Sequence, residues 1–565
     1  MSNIPADFRP PVENSEFVCG FADPADERIE VGVLFVGAGP ASLAGAIRLS
    51  QLLQESPDLL EALRDVPVAV IEKGKYPGAH LLSGAVVNPI AFRKLFPDLS
   101  DDDFPFYDPV AKDKLYFLTG KGSIGAPFMP PTMSNHGNFV ASISKIGKWL
   151  GEKAEELGVV ILNETPGTHL IVENESVKGV RTADKGRDGD GGELPNFEPG
   201  SDISAKITLL GEGASGHLCP ALVDHFGIMQ SNPQIYALGV KEVWEVPKPL
   251  DRVIHTMGWP LRGGKKYREF GGGFIYPMGK DRVSIGIVAG LDYTDSSLST
   301  HDLLQELKCH PRVRGVLEGG SRLENGWGAK IIPEGGYYSL PDRFHVPGAA
   351  LLGDAAGLVN VPSLKGIHYA MWSGILAAES IFERLKAGQD ISEPAALEYY
   401  DKAVRESFIV QDLHRVRNMR QAFQYGFFRG AALAGVMTIT RGLFPGWRFG
   451  GHLDRETPMR PGAQEYVKPD NKYIFDKLSS VFASGNRSRD NQPDHIRLNR
   501  EVSEAVGETW INMCPAEVYE WKTDENGHRM IQTNPTNCVQ CGAIGAKGGR
   551  LTPPEGGSGP EYEET

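Results

Sequence analysis

The stretch EVGVLFVGAGPASLAGAIRL, Glu30 to Leu49, decides how this chain is to be read. Its opening, Glu30 to Val36, is largely β-branched and aliphatic, the pattern of a strand buried on both faces in a parallel sheet. Gly37-Ala38-Gly39-Pro40-Ala41-Ser42 follows, and after it a helical pattern of small and aliphatic residues. The spacing G-x-G-x-x-S is one residue away from a dinucleotide fingerprint. Gly37 permits a tight turn, and Gly39 lets a pyrophosphate approach the helix N-terminus, where free amides and the helix dipole favour anionic oxygens. Ser42 stands where a third glycine would let helix and strand pack closely, and a side chain this small is tolerable there.

Working outward, Pro67 to Ile71 (PVAVI) reads as a second strand ending at Glu72, placed to accept hydrogen bonds from the hydroxyls of an adenosine ribose. Glu72 lies about thirty residues past the glycines, beyond the usual offset of about twenty, so LLQESPDLLEALRDV is expected to extend the helix or add an excursion. A second glycine run, Gly211 to Gly216 (GEGASG), follows the strand Ile207 to Leu210 but leads to no apolar strand closed by an acid. It is expected to be a loop near the first nucleotide and not a second nucleotide site. Further on, Ala349 to Leu352 reads as a strand ending in Gly353-Asp354, ahead of a helix that opens at about Gly366. Such an aspartate can bind the ribityl hydroxyls of a flavin; taken alone it reads as a helix N-cap.

A chain of 565 residues supports two or three cores, and a formal net charge of -14 lacks the basic patch that nucleic-acid binding needs. Six cysteines, three of them Cys514, Cys538 and Cys541, do not make a disulfide framework. The opening MSNIPADFRPPVENSEFVCG has no basic stretch followed by an apolar run and is acidic for a presequence. The expected location is therefore the cytoplasmic side of a bacterial-type membrane, without a targeting sequence. No uncharged apolar run of about eighteen residues is present. Gln424 to Gly450 (QYGFFRGAALAGVMTITRGLFPGWRFG) comes nearest, interrupted by Arg429, Arg441 and Arg448. It reads either as an interfacial segment with arginines at headgroup level or as a buried helix before a Pro-Gly turn.

Three groups of stretches together resemble the electron-transfer flavoprotein:quinone oxidoreductases. They are VGAGPASLAGAIRL with VIEKGKYPGAHLLSGAVVNP; HTMGWPL with FGGGFIYPMG and GIVAGLDY; and NVPSLKGIHYAMWSGILAAESIF with CPAEVYE and NCVQC…PPEGGSGPEY. The likeness runs through nearly the whole chain after about Glu30. It implies an α/β fold: an FAD-binding Rossmann-like domain of the hydroxylase/glutathione-reductase type, an antiparallel-sheet quinone domain and a C-terminal ferredoxin-like iron-sulfur module. It further implies FAD, an iron-sulfur cluster, a soluble electron-transfer flavoprotein as donor, a membrane quinone as acceptor and monotopic attachment to the membrane surface. The implied cofactor-binding residues are Gly37, Gly39, Pro40, Ala41, Ser42, Glu72 and Lys73, then Gly78, Ala79, His80, Ser83 and Gly84, then Gly353 and Asp354. Asn360, Val361, Lys365, Gly366 and His368 would border the isoalloxazine, and Gly271, Gly272, Gly273 and Phe274 the quinone head group. Without the resemblance, Gly271 reads as a glycine-rich hairpin and Gly366 as a helix start.

The boundaries that follow are a discontinuous flavin domain of residues 27–90, 138–220 and 325–400, and a quinone- and membrane-facing domain of 91–137 and 221–324. A helical region of 401–460 with the membrane-surface segment and an iron-sulfur domain of 461–565 complete the chain, while ADKGRDGDGGELPNFEPGSD is expected to be a surface loop. Two departures stand out. Ser142 occupies a position where an arginine is expected near the flavin, and Ile544 occupies the place of a fourth cysteine. Cys514, Cys538 and Cys541 are left as metal ligands, for a 3Fe-4S cluster or for a 4Fe-4S cluster whose remaining ligand is a carboxylate, a histidine such as His528, or solvent; the third reading is a lost cluster that leaves Cys538 and Cys541 a free pair. Rival functions are an FAD-dependent prenyl-lipid reductase and a non-catalytic docking subunit for an electron-transfer flavoprotein.

Overall fold

The structure, a computed structural model, describes residues 2–264 and 266–565. The opening stretch folds as strand β1 (Ile29–Val36), a turn and helix α1 (Pro40–Gln54). The chain returns through β2 (Val66–Ile71), and β3 (Asp202–Leu210) precedes helix α2 (Leu218–Phe226). Farther on come β4 (Ala349–Leu351), helix α3 (Ile367–Lys386) and helix α4 (Phe427–Ile439).

β1 lies between β2 and β3 and runs parallel to both in a nine-stranded sheet, with β4 parallel to β3 along the edge of β3 away from β1. Val33, Leu34, Phe35 and Val36 are all buried, so both faces of the strand are covered, which is why it carries no polar alternation. α1 packs on α3 through backbone: a Cβ on Gly374 would come within 1.9 Å of the Ala41 carbonyl oxygen. The C-terminal ends of β1, β2, β3 and β4 thus converge on one crevice, the place where open α/β sheets hold ligands.

A seven-stranded sheet stands beside it, in the order Ser321–Pro333, Tyr236–Glu245, Arg282–Gly290, Gly271–Pro277, Val253–Gly258, Asp113–Leu118 and Ser123–Gly125. All its pairings are antiparallel except that between Val253–Gly258 and Asp113–Leu118. The glycines at Gly271 to Gly273 open a strand and do not form a hairpin turn: all three pair with Arg282–Gly290, and Gly273 pairs with Val253–Gly258 as well. The C-terminal part contributes a helix (Glu504–Met513), a hairpin (Tyr519–Thr523 with Arg529–Thr533) and a short helix (Ala543–Ala546). It docks on the second sheet, where Ile331 N–H donates to the Cys541 carbonyl (2.9 Å).

The expected surface loop at 183–202 is instead partly a hairpin, with Lys185–Arg187 antiparallel to Glu193–Glu198. Its turn is closed by the Asp188 carboxylate, which accepts from Gly192 N–H (2.7 Å). Apart from Gly186 no residue of the two strands is buried, so their sequence carries no apolar alternation to read.

Candidate functional site

One cavity of about 1310 Å³ runs from the C-terminal ends of the parallel strands, under the second sheet, to helix α4. At its nucleotide end Gly37 has φ +89°, and Gly39 is the N-cap of α1 with no side chain capping it. That leaves a bare helix end facing the cavity, favourable to phosphate oxygens. Glu72 ends β2, and its carboxylate accepts from Ala38 N–H (2.8 Å) and Gly74 N–H (2.7 Å), holding the glycine turn and the following loop together. The second glycine run lies against the first, with the Gly211 carbonyl 3.0 Å from where a Cβ on Gly37 would stand.

Pro40, Ala41, Lys73, His80, Ser83, Gly84, Asp354, Gly366 and His368 also line the cavity, as do Gly271, Gly272, Gly273 and Phe274. Five expected residues stand behind the wall, among them Asn360, whose N–H donates to the Lys365 carbonyl (2.8 Å). Ser42 is buried against Gly211, Gly78 packs its backbone on helix Ile143–Glu156 near the Ser144 carbonyl, Ala79 accepts from Tyr562 N–H (2.9 Å), and Gly353 is wedged between Ala41 and Ala370. Ser142 takes a structural role: its hydroxyl accepts from Lys145 N–H as the N-cap of helix Ile143–Glu156 and contacts the Thr565 carbonyl. Asp354 is half-buried in the cavity wall and raised to about 6 by burial alone. A Cβ on Gly366 would stand 3.6 Å from its Oδ1, so the carboxyl faces the start of α3.

The middle of the cavity holds groups drawn from segments far apart in sequence. Lys365 Nζ donates to Asn135 Oδ1 (2.6 Å), which turns the Asn135 amide nitrogen toward His255 Nε2 (3.3 Å). An amide nitrogen only donates, so Nε2 accepts and the imidazole proton belongs on Nδ1, 3.4 Å from the Tyr276 hydroxyl. Burial, and then Lys365, lowers His255 to about 3, so the ring is neutral. Burial lowers Lys365 to about 8. Tyr276 and Phe274 stack with ring centroids 4.8 Å apart, both against Gly84.

On the opposite wall Lys73 Nζ donates to Gln540 Oε1 (2.6 Å) and Lys330 Nζ to the Gln540 carbonyl (3.1 Å). Burial, reinforced by Lys73, brings Lys330 down to about 8. Cys541 and Gly542 line both this cavity and a small separate void, which Cys514, Cys538 and Ile544 also line. Backbone N–H groups point at the sulfurs: Ala516 N–H at Cys514 Sγ (3.5 Å) and Gln540 N–H at Cys538 Sγ (3.4 Å). His255, Tyr276, Asn135, Lys330 and Gln540 were not anticipated as site residues. Period-two alternation does put Phe274 and Tyr276 on one face, but nothing local signals the other four.

The comparisons with known proteins fall on this geometry. The family model "ETF-QO, ubiquinone-binding" matches residues 236–332, the second sheet's wall of the cavity, and "Electron transfer flavoprotein-ubiquinone oxidoreductase, 4Fe-4S" matches 471–563. The mitochondrial electron transfer flavoprotein-ubiquinone oxidoreductase of Dictyostelium discoideum is 36% identical, covering 95% of this chain and 91% of its own. The chain belongs to the electron transfer flavoprotein-ubiquinone oxidoreductase family. The Rattus norvegicus member, also named mitochondrial, is 38% identical over 94% of this chain and 89% of its own. A solved geranylgeranyl bacteriochlorophyll reductase-like protein from Thermoplasma acidophilum shares the fold, with a TM-score of 0.55 and 18% identity over 73% of this chain and 92% of that one.

Family membership corrects the expected location. The relatives are named as mitochondrial proteins, so the bacterial-type cytoplasmic placement drawn from the opening residues is overturned. Lack of a basic, apolar opening carries no information against relatives sorted in this way. Among the described residues no helix is long and apolar enough to cross a membrane. The site residues fit both cofactors of the family. The cavity offers a bare helix end, the Glu72 turn, a half-buried aspartate and two lysines to a flavin dinucleotide. Three cysteines with backbone donors surround a void for an iron-sulfur cluster.

Proposed function

We propose that this chain accepts electrons from reduced electron transfer flavoprotein and reduces ubiquinone at the α4 end of the cavity. The observation that carries this reading is the continuity of one cavity, from the dinucleotide turn past Cys541 to an apolar surface helix. When bound, FAD takes up and releases electrons singly or in pairs, and an iron-sulfur cluster passes them singly. The chain's own residues supply position, charge and protons.

Gly37, Gly39 and Glu72 hold the adenosine and pyrophosphate end, and Asp354 the ribityl chain. Lys365, Gly366 and His368 border the ring, and Gly271 to Phe274 the quinone head group. The positive charges of Lys73 and Lys330, placed between the dinucleotide end and the cysteines, favour added negative charge on either side. Quinone reduction consumes two electrons and two protons. The Tyr276 hydroxyl passes a proton to the quinone oxygen and is reprotonated from solvent, which also supplies the second proton; neutral His255, held by Asn135 and Lys365, orients that hydroxyl by donating Nδ1–H to its oxygen.

The membrane surface is the place where such a quinone is met. α4 turns Ala431, Ala434 and Thr438 toward the cavity, while Phe428 (77% exposed) and Ile439 (84%) face outward, followed by Leu443 (80%) and Trp447 (62%). Arg429, Arg441 and Arg448 are exposed around this lip, in reach of headgroup phosphates. The expected monotopic attachment is thus proposed for α4 and the turn after it, with the flavin, quinone, helical and iron-sulfur divisions of the chain kept as drawn from its sequence.

The test is reduction of ubiquinone in vesicles by the holoprotein and reduced electron transfer flavoprotein. Quinol formation is the expected result; flavin reduction with saturation of an isoprenoid double bond, and no quinol, would point instead to the prenyl-lipid reductase chemistry named for the fold relative. Phe428→Asp with Trp447→Asp should release the protein from vesicles while leaving turnover of a short-chain, water-soluble quinone intact.

A further inference from the structure

We infer that the cluster void of this chain holds three irons on three thiolates and that Ile544 closes its fourth corner. The inference rests on the oxidoreductase reading above and departs from it at one point, since the matching family model is described as 4Fe-4S. Position 544 lies three residues after Cys541, at the first turn of the short helix Ala543–Ala546. Ile544 is 3% exposed and lines the void together with Cys514, Cys538 and Cys541. Its Cγ1 stands 2.6 Å from where a Cβ on Gly549 would be, so the aliphatic group is packed in place from behind. Carbon offers iron no electron pair, and a branched aliphatic chain keeps water from taking the corner.

No other side chain replaces the missing thiolate. His528, the candidate from sequence, lies in the turn of the hairpin between Thr523 and Arg529 with its side chain 79% exposed, near Asp524 and outside the lining of the void. Among the described residues the void has no histidine or carboxylate in its lining, and its remaining side-chain heteroatoms are the Tyr519 phenol and the Met513 thioether. Nor do three His, Cys, Asp or Glu side chains among the described residues converge as a single metal ion would need, which sets zinc aside.

Iron, acid-labile sulfide and FAD are counted on anaerobically purified holoprotein, alongside low-temperature EPR before and after dithionite. About three irons per flavin and a signal in the oxidised protein that is lost on reduction are expected. About four irons, with a signal appearing only on reduction, would overturn the inference, and so would absence of iron. Ile544→Cys should raise the count to about four and move the signal to the reduced state. Ile544→Val, which keeps an aliphatic corner if the cysteine variant fails to fold, and Tyr519→Phe should both leave the count at about three. A drop in iron with Tyr519→Phe would make the phenol the fourth ligand and refute the aliphatic corner. Quinone reduction is followed separately on the same samples: its absence in flavin-replete protein refutes the functional reading and says nothing of the iron count.

Discussion

Gly37 to Ser42 and Gly211 to Gly216 are nearly the same motif, each following a strand of the parallel sheet and each opening a helix, yet only one reads as an anion site. At α1 the N-terminus carries no side-chain cap. At α2 the Glu212 carboxylate, inside the glycine run itself, accepts from the N–H groups of His217 (3.0 Å), Leu218 (2.9 Å) and Cys219 (2.8 Å). A helix end already satisfied by an internal anion repels an external phosphate. Glu72 makes the complementary choice: it binds the turn of the first motif from the side and leaves the helix end open. The glycines therefore report only that backbone comes close; the nearest carboxylate decides what the helix end binds.

The largest expected effect comes from closing the open motif. Gly37→Val puts a β-branched side chain at φ +89°, against the Gly211 carbonyl, and should lower FAD affinity by roughly a hundredfold or more, read by flavin content and equilibrium dialysis. Next, Glu72→Ala leaves Ala38 N–H without its acceptor and removes a partner for the ribose, so FAD affinity should fall by about 10- to 50-fold.

At the closed motif the effect should change kind. Glu212→Ala uncaps α2 and should cost about 2–3 kcal/mol in denaturant unfolding, while FAD affinity moves by less than about threefold. A loss of flavin equal to that at Glu72 would break the comparison.

The smallest effect concerns pH. Burial lowers His217, at the N-cap of α2, to about 4, below the ordinary value of 6.5. The unfolded chain then takes up a proton first as pH falls, so this group's contribution is intact above pH 6.5 and is lost toward 4. Between about pH 6.5 and 5.5 the loss should be about 1 kcal/mol, and His217→Asn should remove that portion of the slope.

What was legible in the sequence is what is local. β1, its turn and α1 follow from a continuous aliphatic run, two glycines and a helix former within one window, and Glu72 from the strand that must pair beside it. The α2 cap is equally local, with Glu212 a few residues ahead of the helix, but a glutamate in a glycine run does not reveal which way it turns. Ser42 illustrates the same limit: correct spacing put it in the motif, and packing against Gly211 took it out of the cavity wall. The line from Lys365 through Asn135 and His255 to Tyr276 joins four segments, two loops and two neighbouring strands of the second sheet, and no period in any one of them records the others.

Cys541 borders both the large cavity and the void of the three cysteines. The partition between the two rooms is there a single residue thick, and its exposed side is the side a flavin would cover. An occupied cavity is thus also a lid: protein stripped of its flavin should bleach in air and shed iron faster than the intact enzyme, so the order in which the two cofactors are lost is built into the wall they share.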